Sequence, residues 1–399
     1  MRTLLPALVI FLLYLLWERI ALDRARRRIP VRIAVTGTRG KSGVVRLLAS
    51  ILKEDGRRVL AKTTGSEAIV LMPDGSQIAL DRSAGPSIME QKQLIHRAVR
   101  SGADCLVAEV MSIRPENHYV ESRHLLRPNI VAITNVRRDH TDLMGETEDT
   151  IASVLALDIV GRSEVFVPEK GICELFRMEA RRCGASLIPV PRDSSLPWLE
   201  SAPGMHKLEF MENLDLVCAI AAHLGVSRTN IVEGIRKARF DIGGLAIWHN
   251  PDRQCYFVNA FAANDPESTF RVLDKVSATI PARAGSVVGI LNLRADRLPR
   301  TLQWLEILHK GTPRFRHLFV IGEFTRAIER RLPQARFLKA QAPGPVMQAI
   351  YEQITEPSIL FGFGNVKGSG RALIEHWRSI GAPYEPSDSP IWNGGRKGG

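Results

Sequence analysis

The residues that decide the predicted fold are Val31-Arg32-Ile33-Ala34-Val35-Thr36-Gly37-Thr38-Arg39-Gly40-Lys41-Ser42. Residues 31–35 are rich in β-branched and small side chains, as a buried parallel strand is. From Lys41 to about Asp55 the apolar residues fall on one helical face, and Gly56 can end the helix in the left-handed conformation. A strand, a glycine-containing loop and an amphipathic helix in this order predict an α/β domain.

The loop between this strand and this helix has the composition of a phosphate-binding loop. Gly37 and Gly40 let backbone N–H groups turn inward, and the helix N-terminus adds its dipole. Lys41 is expected to reach the β- and γ-phosphates of a nucleotide, and the Ser42 hydroxyl to hold Mg²⁺. The strict Walker pattern has another glycine where this chain has Val35, so the loop is the shorter G-x-x-G-K-S form. The alternative is a chance G-K-S in a turn, and the flanking strand and helix argue against it.

Two further predicted strands end in residues that can bind a cation. One apolar strand ends in Glu109. Burial of a carboxylate at the end of such a strand costs free energy unless a cation lies beside it. The next strand, residues 129–136, leads into a loop that contains His140. Ligands of open α/β sheets bind outside the carboxyl ends of the strands, where Ser42, Glu109 and His140 are all expected. These three residues are predicted metal ligands, with a domain-edge salt bridge for Glu109 and a structural role for His140 as alternatives.

The overall composition limits the class of protein. The chain has 399 residues, enough for two domains, and its 45% hydrophobic and 24% charged residues are typical of a folded globular protein. The net charge of +12 suits nucleic acid, anionic lipid or an anionic substrate, but no nucleic-acid-binding motif is visible. The five cysteines include no C-x-x-C pair, which argues against a disulfide framework or a zinc site and fits a reducing compartment.

The N-terminus carries a strongly apolar segment. The run from Leu4 to Trp17 is unbroken, and the segment from Thr3 to Leu22 reaches the ~20 residues that a spanning helix needs. Arginines follow the run, which predicts a single-pass transmembrane helix in the cell membrane with the catalytic body in the cytoplasm. The alternatives are a cleaved signal peptide, whose basic residues should come first, and an interfacial helix, which should be apolar on one side only.

Several motifs together resemble the Mur ligase superfamily, which contains the peptidoglycan amino-acid ligases and folylpolyglutamate synthase. These motifs are T-G-T-x-G-K-S at 36–42, E-x-x-S at 109–112 and T-N-x-x-x-D-H-T-D at 134–142. An Asn-led helix from Asn213 and the segment N-A-F-A-A-N-D-P-E-S-T at 259–269 extend the likeness. With N-L-R-A-D-R at 292–297 and G-F-G-N-V-K-G at 362–368, the chain most resembles the ligase subunits of poly-γ-glutamate synthases.

This resemblance implies an ATP-dependent ligase that activates a carboxylate of the growing poly-γ-glutamate chain as an acyl phosphate, which the amine of glutamate then attacks. Lys41, Glu109 and His140 would be the catalytic residues, and ATP and Mg²⁺ the cofactors. Of the metal ligands, Ser42 and Glu109 would hold one Mg²⁺ and His140 a second. The residues implied to contact the nucleotide are Thr38, Arg39, Gly40, Lys41, Ser42, Gly43, Asn135, Asn213, Asn264, Asp265, Arg294 and Asp296. The implied partners are glutamate, the polymer, the membrane and integral membrane subunits of the synthase, but not nucleic acid; a homo-oligomer stays open.

The chain departs from the superfamily pattern at two points. Residues 149–161 contain no lysine, although many members carry a carbamylated lysine soon after the D-H motif. The sequence Gly243-Gly244-Leu245-Ala246 lacks the arginine that members place after the helices of the second domain. The first departure removes a usual ligand of the second metal, and the second leaves neutralisation of the γ-phosphate to Arg294 or Arg297.

The predicted organisation has four parts. They are a transmembrane helix and basic linker (1–28), a Mur-ligase-type P-loop ATP-binding domain with a mainly parallel sheet (29–245), a smaller Rossmann-like C-terminal α/β domain (246–380) and a flexible tail (381–399). The glycines at 362, 364 and 368 are interpreted as a turn. Two other functions stay open: a different amide ligase such as a folylpolyglutamate synthase, and a nucleotide-binding scaffold or transport ATPase, for which no signature is visible.

Overall fold

The computed structural model describes residues 4–65, 67–83, 85–138, 141–199, 210–239, 242–280, 286–311, 314–339, 342–354 and 357–384. The chain divides into two compact units, residues 1–205 with 211–239 and residues 206–210 with 240–399. One sheet belongs to each unit.

The first unit alternates strands and helices along most of its length. Its elements are α1 (Leu4–Arg27), β1 (Val31–Thr36), α2 (Lys41–Glu54), β2 (Val59–Thr63), β3 (Ile69–Leu71), β4 (Gln77–Ala79), α3 (Met89–Arg100), β5 (Cys105–Glu109), α4 (Pro115–Tyr119), a π-helix (Val120–Leu126), β6 (Ile130–Ile133), α5 (Thr141–Met144), α6 (Glu148–Ala156), β7 (Glu164–Pro168), a 3₁₀ turn (Glu169–Gly171), α7 (Glu174–Cys183), β8 (Ser186–Val190), α8 (Leu196–Leu199), α9 (Met211–His223) and α10 (Arg228–Lys237).

The sheet of the first unit has the strand order β4-β3-β2-β5-β1-β6-β7-β8. All its pairs are parallel except those of β3 with β2 and β4. In β1, Val35 lies opposite Glu109 of β5, and Thr36 lies opposite Ile133 of β6. The carboxyl ends of β1, β5 and β6 therefore meet at one edge, which confirms the predicted α/β fold with a mainly parallel sheet.

Helix α2 is held between the sheet and a second helix. The apolar face predicted for it is buried in full and consists of Val44, Val45, Leu48, Ile51 and Leu52. Burial of each such side chain contributes ~1.5–3 kcal/mol. On another side, α10 packs against α2 at Gly234, where an added Cβ would lie 2.4 Å from the Cα of Ile51. The two backbones are thus close enough that only glycine fits at that position.

The second unit also combines one sheet with helices. Its elements are β9 (Ala246–Asn250), β10 (Cys255–Asn259), α11 (Pro266–Thr279), β11 (Ser286–Leu293), a 3₁₀ turn (Ala295–Arg297), α12 (Leu298–His309), β12 (His317–Gly322), α13 (Arg326–Arg331), β13 (Arg336–Phe337), α14 (Pro343–Tyr351), β14 (Ser358–Phe363), α15 (Ser369–Ile380) and β15 (Ala382–Pro383). The strand order is β13-β12-β11-β14-β10-β9-β15, and only the pairs of β9 are antiparallel.

Two asparagines tie the strand ends of the second unit together. The Nδ2 of Asn292, in β11, donates to the carbonyl oxygens of Asn365 (2.6 Å) and Lys367 (2.9 Å). The Nδ2 of Asn365 donates back to the carbonyl oxygen of Asn292 at 3.0 Å. Between β14 and α15, Gly364 and Gly368 have φ of 105° and 70°, as in the turn that the sequence predicted.

The prediction of a transmembrane helix at the N-terminus is wrong, and the single-pass membrane location that depended on it is corrected with it. Among the residues described, no helix is both long enough and apolar enough to cross a membrane. The prediction counted across Glu18, but Glu18 forms an ion pair with Lys92 of α3. Further along α1, Leu22 and Ala25 are buried in the core of the first unit. The uncharged run before Glu18 falls short of the ~20 residues that a spanning helix needs.

The close approach of α10 to α2 gives a stability prediction. Gly234→Ala should lower the free energy of unfolding by about 1–3 kcal/mol, because the new methyl group overlaps the backbone of Ile51, which cannot move aside as a side chain can. Gly344→Ala in α14 is the matched control, since a Cβ there meets nothing within 4 Å. The helix propensity of alanine favours this change and the following Pro345 disfavours it, so stability should stay within ~1 kcal/mol of the wild type. Denaturant unfolding followed by circular dichroism measures both, and equal midpoints for the two variants would contradict the close packing.

Candidate phosphate and metal site

The loop between β1 and α2 has the backbone conformation that an anion-binding loop requires. Gly37 has a φ of 121°, and Gly40, directly before α2, has a φ of 81°. Only glycine adopts these angles at low cost. An added Cβ on Gly37 would lie 2.2 Å from Oγ1 of Thr134, and one on Gly40 would lie 2.9 Å from the side chain of Asn213. The loop is therefore fixed both by its dihedral angles and by the residues packed against it.

The end of β6 clamps the loop through hydrogen bonds. The carbonyl oxygen of Asn135 accepts from the N–H of Thr38 at 3.1 Å, and its Oδ1 accepts from the Thr38 hydroxyl (2.7 Å) and the Arg39 N–H (3.1 Å). The carbonyl oxygen of Arg39 in turn accepts from Nδ2 of Asn135 (3.0 Å) and from the hydroxyl of Thr134 (2.7 Å). The loop conformation is thus set in advance by the neighbouring strand.

Lys41 curls back over the loop that precedes it. Its Nζ donates to the carbonyl oxygens of Gly37 at 2.6 Å and Thr38 at 3.4 Å. The ammonium group is therefore held at the loop that the helix dipole makes attractive to anions.

Glu109 is a buried acid at the carboxyl end of β5. The residue is 3% exposed, and its carboxylate accepts hydrogen bonds from the Ser42 hydroxyl (2.8 Å) and the backbone N–H of Thr64 (2.7 Å). None of the lysines and arginines in the described part of the chain forms an ion pair with it. A buried carboxylate is costly without a compensating charge, and a hydroxyl with a carboxylate is a ligand pair that Mg²⁺ accepts. Ser42 and Glu109 therefore fit a divalent cation.

This ligand pair would be incomplete by itself. Within the residues that the structure describes, no group of three or more His, Cys, Asp or Glu side chains could hold a metal ion. Mg²⁺ usually keeps several waters and adds phosphate oxygens of the substrate to one or two carboxylates. The arrangement suits a metal that arrives with a nucleotide better than a permanently caged one.

A second buried carboxylate positions the segment after Glu109. The carboxylate of Glu121 accepts from the backbone N–H groups of Met111 (3.2 Å) and Ser112 (3.1 Å) and from the side chain of Gln91. Gln91 also donates to the carbonyl oxygen of Glu109 at 3.2 Å. A side chain of the π-helix therefore fixes the backbone directly after β5.

A buried polar cluster fixes the start of the loop. Asp158 accepts hydrogen bonds from the hydroxyls of Thr36 (2.5 Å) and Ser122 (2.6 Å), and Nδ1 of His118 lies 2.9 Å from its Oδ2. Burial disfavours the charged imidazole, but the charge of Asp158 and the hydrogen bond to it raise the pKa of His118. Because Thr36 directly precedes Gly37, this cluster sets where the loop begins.

The structure brings together most of the site residues predicted in the first unit. Asn213, on α9, lies against Gly40, and Gly43 lies in the first turn of α2. His140, the third predicted metal ligand, lies outside the described residues.

Four predicted nucleotide contacts belong to the second unit. Asn264 is half-buried after β10, and Asp265 caps α11 by accepting from the N–H of Ser268 at 2.8 Å. Arg294 donates to Asp296 at 2.7 Å.

Sequence reasoning missed several residues that hold the site in place. Thr64 contributes only a backbone N–H, so its side chain carried no signal. The hydrogen bonds of Asp158 and Thr134 join residues that are far apart in the sequence. Glu121 is closer in sequence to its partner Ser112, but its role depends on the π-helix that carries it. A buried acid in an apolar segment was the one available signal, and it could have pointed to Asp158.

Comparisons with known proteins find a matching family model for each of two segments of the chain. Residues 35–157 match the family model of the Mur ligase middle domain, and residues 246–380 match that of the poly-gamma-glutamate synthase CapB C-terminal domain. The chain is 30% identical over 359 residues to the PGA synthase CapB of Bacillus subtilis (strain 168), covering 87% of this chain and 90% of that protein. It is 29% identical over 379 residues to the capsule biosynthesis protein CapB of Bacillus anthracis, covering 92% and 80%.

Solved structures share the fold at lower identity. The bifunctional folylpolyglutamate synthase/dihydrofolate synthase of Yersinia pestis, complexed with AMPPNP and a Mn ion, has a TM-score of 0.67 at 15% identity, covering 91% of this chain and 92% of that one. FolC of E. coli, in complex with DHPP and ADP, has a TM-score of 0.65 at 17% identity, covering 91% and 92%. At these identities the likeness shows the fold alone.

The contact between Gly37 and Thr134 gives a binding prediction. Gly37→Ala should weaken ATP binding about ten- to hundredfold, because the overlap with Thr134 and the unfavourable φ together push the loop out of place. Gly56→Ala is the matched control, with a φ of 81° and no neighbour within 4 Å of the added Cβ. It should cost ~1–2 kcal/mol of stability and leave ATP affinity unchanged. Calorimetric titration with ATP separates the two, and wild-type affinity in Gly37→Ala would rule out this loop as the nucleotide site.

Proposed function

This chain belongs to the CapB family of poly-γ-glutamate synthases, and we propose that it uses ATP and Mg²⁺ to join glutamate to a poly-γ-glutamate chain. It is an ATP-dependent ligase that forms amide bonds. A carboxylate is activated as an acyl phosphate, and the amine of glutamate attacks it. The observation that carries the proposal is the clamped glycine loop beside the buried pair of Ser42 and Glu109.

The roles of the loop residues follow from their positions. The backbone N–H groups of residues 41–43, at the start of α2, would bind the phosphate oxygens, and Lys41 would supply a positive charge that offsets the charge developing on the transferred phosphoryl group. Ser42 and Glu109 would hold Mg²⁺, which would neutralise negative charge on the phosphates. Preorganisation by Asn135 and Asp158 keeps these groups in place before the substrate arrives. His140 stays a predicted further ligand.

The nucleotide contacts predicted in the second unit stay predictions. We assign nucleotide chemistry to the domain at residues 29–245, and Asn264, Asp265 and Arg294 of the domain at residues 246–380 are the further residues implied by the resemblance. Arg294 already donates to Asp296, so a contact with phosphate would have to share or replace that ion pair. The integral membrane subunits implied by the resemblance stay a prediction, and a homo-oligomer stays open.

The relatives distinguish this function from that of a folylpolyglutamate synthase. The folate enzymes share the fold at 15–17% identity. The Bacillus subtilis protein shares 30% identity over most of both chains. Glutamate addition is common to both chemistries, so the nature of the acceptor separates them, and the CapB likeness favours the polymer.

Lys41 is expected to be essential for turnover. Lys41→Ala should lower the rate of ADP formation at least ~100-fold, because the phosphoryl group loses a fixed positive charge as its own charge develops. Lys53→Ala is the matched control, since Lys53 lies in the last turn of the same helix and is exposed. ADP release with glutamate present measures both variants. Full turnover in Lys41→Ala would exclude the proposed role.

Glu109 is expected to control the requirement for metal. Glu109→Gln keeps an oxygen that can accept from Ser42 and Thr64 but removes the charge, so the Mg²⁺ concentration for half-maximal activity should rise at least ~10-fold. Glu116→Gln, at an exposed position in α4, is the control. A Mg²⁺ titration that does not differ between the two variants would return Glu109 to a structural role.

A further inference from the structure

A cleft rich in arginine opens on the first unit, away from the phosphate loop. It encloses about 530 Å³, and the polar side chains that line it are Arg32, Tyr119, Arg123, Arg127, Asn129 and Arg162. These residues lie near the amino ends of β1, β6 and β7, whereas the loop at 37–40 lies beyond the carboxyl end of β1. The length of β1 separates the two places by roughly 20 Å, given a rise of ~3.3 Å per residue. We call this feature the arginine cleft.

The positive charges of the arginine cleft are only partly balanced. Arg123 pairs with Glu179, and Arg127 pairs with Asp23 at 3.1 Å. Arg32 instead donates to three backbone carbonyl oxygens, those of Ile29 (2.6 Å), Arg127 (3.0 Å) and Arg26 (3.2 Å). In the described part of the chain, two carboxylates therefore pair with the four guanidinium groups of the cleft, and Asp23 and Glu179 also pair with Arg26 and Arg182.

Arg162 is the least constrained of the four arginines. It is exposed, and it forms no hydrogen bond or ion pair with any residue in the described ranges. Its guanidinium group is consequently available to a ligand.

The backbone around the cleft is strained where the arginines sit. In the described part of the chain, four residues other than glycine have a positive φ, and two of them are Arg127 (42°) and Arg162 (61°). Arg127 directly follows the π-helix Val120–Leu126. Left-handed non-glycine residues and π-helical turns are both uncommon and concentrate at functional sites. Glycine would adopt either conformation without this strain.

The chemistry of the cleft suits a ligand with several carboxylates. A guanidinium group binds a carboxylate through two parallel hydrogen bonds, and several of them around one cleft favour a ligand with repeated anionic groups. A γ-linked glutamate chain leaves one free carboxylate on every residue. Resting on the proposed function, we propose that the arginine cleft is a second, non-catalytic site that binds the poly-γ-glutamate chain through these carboxylates.

Such a site would affect the length of the product more than the chemistry of each addition. A chain held in the cleft keeps its end near the same enzyme molecule, which raises the effective concentration of the acceptor for the next addition. The enzyme would then extend one chain repeatedly before releasing it.

The test uses the full chain and three variants. Arg162→Gln removes the charge, Arg162→Gly removes it and also relieves the left-handed strain, and Arg331→Gln removes an exposed charge in α13 as the control. Short γ-linked glutamate oligomers are titrated calorimetrically without ATP. Both Arg162 variants should bind the oligomers about tenfold more weakly, as expected for loss of one charge-assisted contact. Arg331→Gln should bind as the wild type does, and Arg162→Gly should melt at the same or a higher temperature than the wild type.

Two results would overturn the proposal. One is unchanged oligomer affinity in both Arg162 variants. The other is binding of inorganic phosphate that depends on Arg162 while oligomer binding does not, which would make the cleft a phosphate site. A wild-type chain that forms no ADP with glutamate would instead contradict the proposed ligase function, and the oligomer titration would still decide the cleft. With active enzyme, Arg162→Gln should yield shorter polymer than the wild type does.

Discussion

The buried carboxylate of Glu109 is the constraint around which the first unit is arranged. It sits at the end of a central strand with two neutral donors, the Ser42 hydroxyl and the Thr64 backbone, and no counter-charge among the described residues. Each donor comes from a different segment, so the carboxylate fixes the start of α2 and the chain after β2 relative to β5. A charge left in this state costs stability, and such a cost persists at sites that acquire a cation during function. The fold of the first unit and the proposed metal chemistry thus depend on one side chain.

Much of this site could be predicted because the residues that form it are contiguous in the sequence. A buried strand, two glycines, Lys41-Ser42 and an amphipathic helix are contiguous, and an acid at the end of an apolar strand is visible without a structure. What could not be predicted depends on register and on contacts distant in the chain. Asn135 was implied by resemblance, but its clamp on Thr38 and Arg39 follows from the pairing of β1 with β6. The cluster of Asp158, His118 and Thr36 required three separate segments to meet.

The N-terminal segment shows why composition misled the sequence analysis. Apolar content and flanking arginines are the usual signs of a spanning helix, but they do not show which charged residues find partners on the protein. Glu18 pairs with Lys92, and the helix beyond it contributes Leu22 and Ala25 to a core. Once the last turns of the helix belong to the folded body, the remaining uncharged run is too short to cross a bilayer.

The same packing has a consequence for anyone who shortens this chain. Asp23 pairs with Arg127 in the arginine cleft, and Arg26 donates to the carbonyl oxygens of His124 and Leu125 next to it. A version trimmed at Pro30 would lose apolar contacts from its core and, with Asp23, one of the two acids that balance the cleft. It would therefore be less stable than the full chain. Low activity or aggregation of such a version would reflect where the cut was made and not the stability of the natural fold.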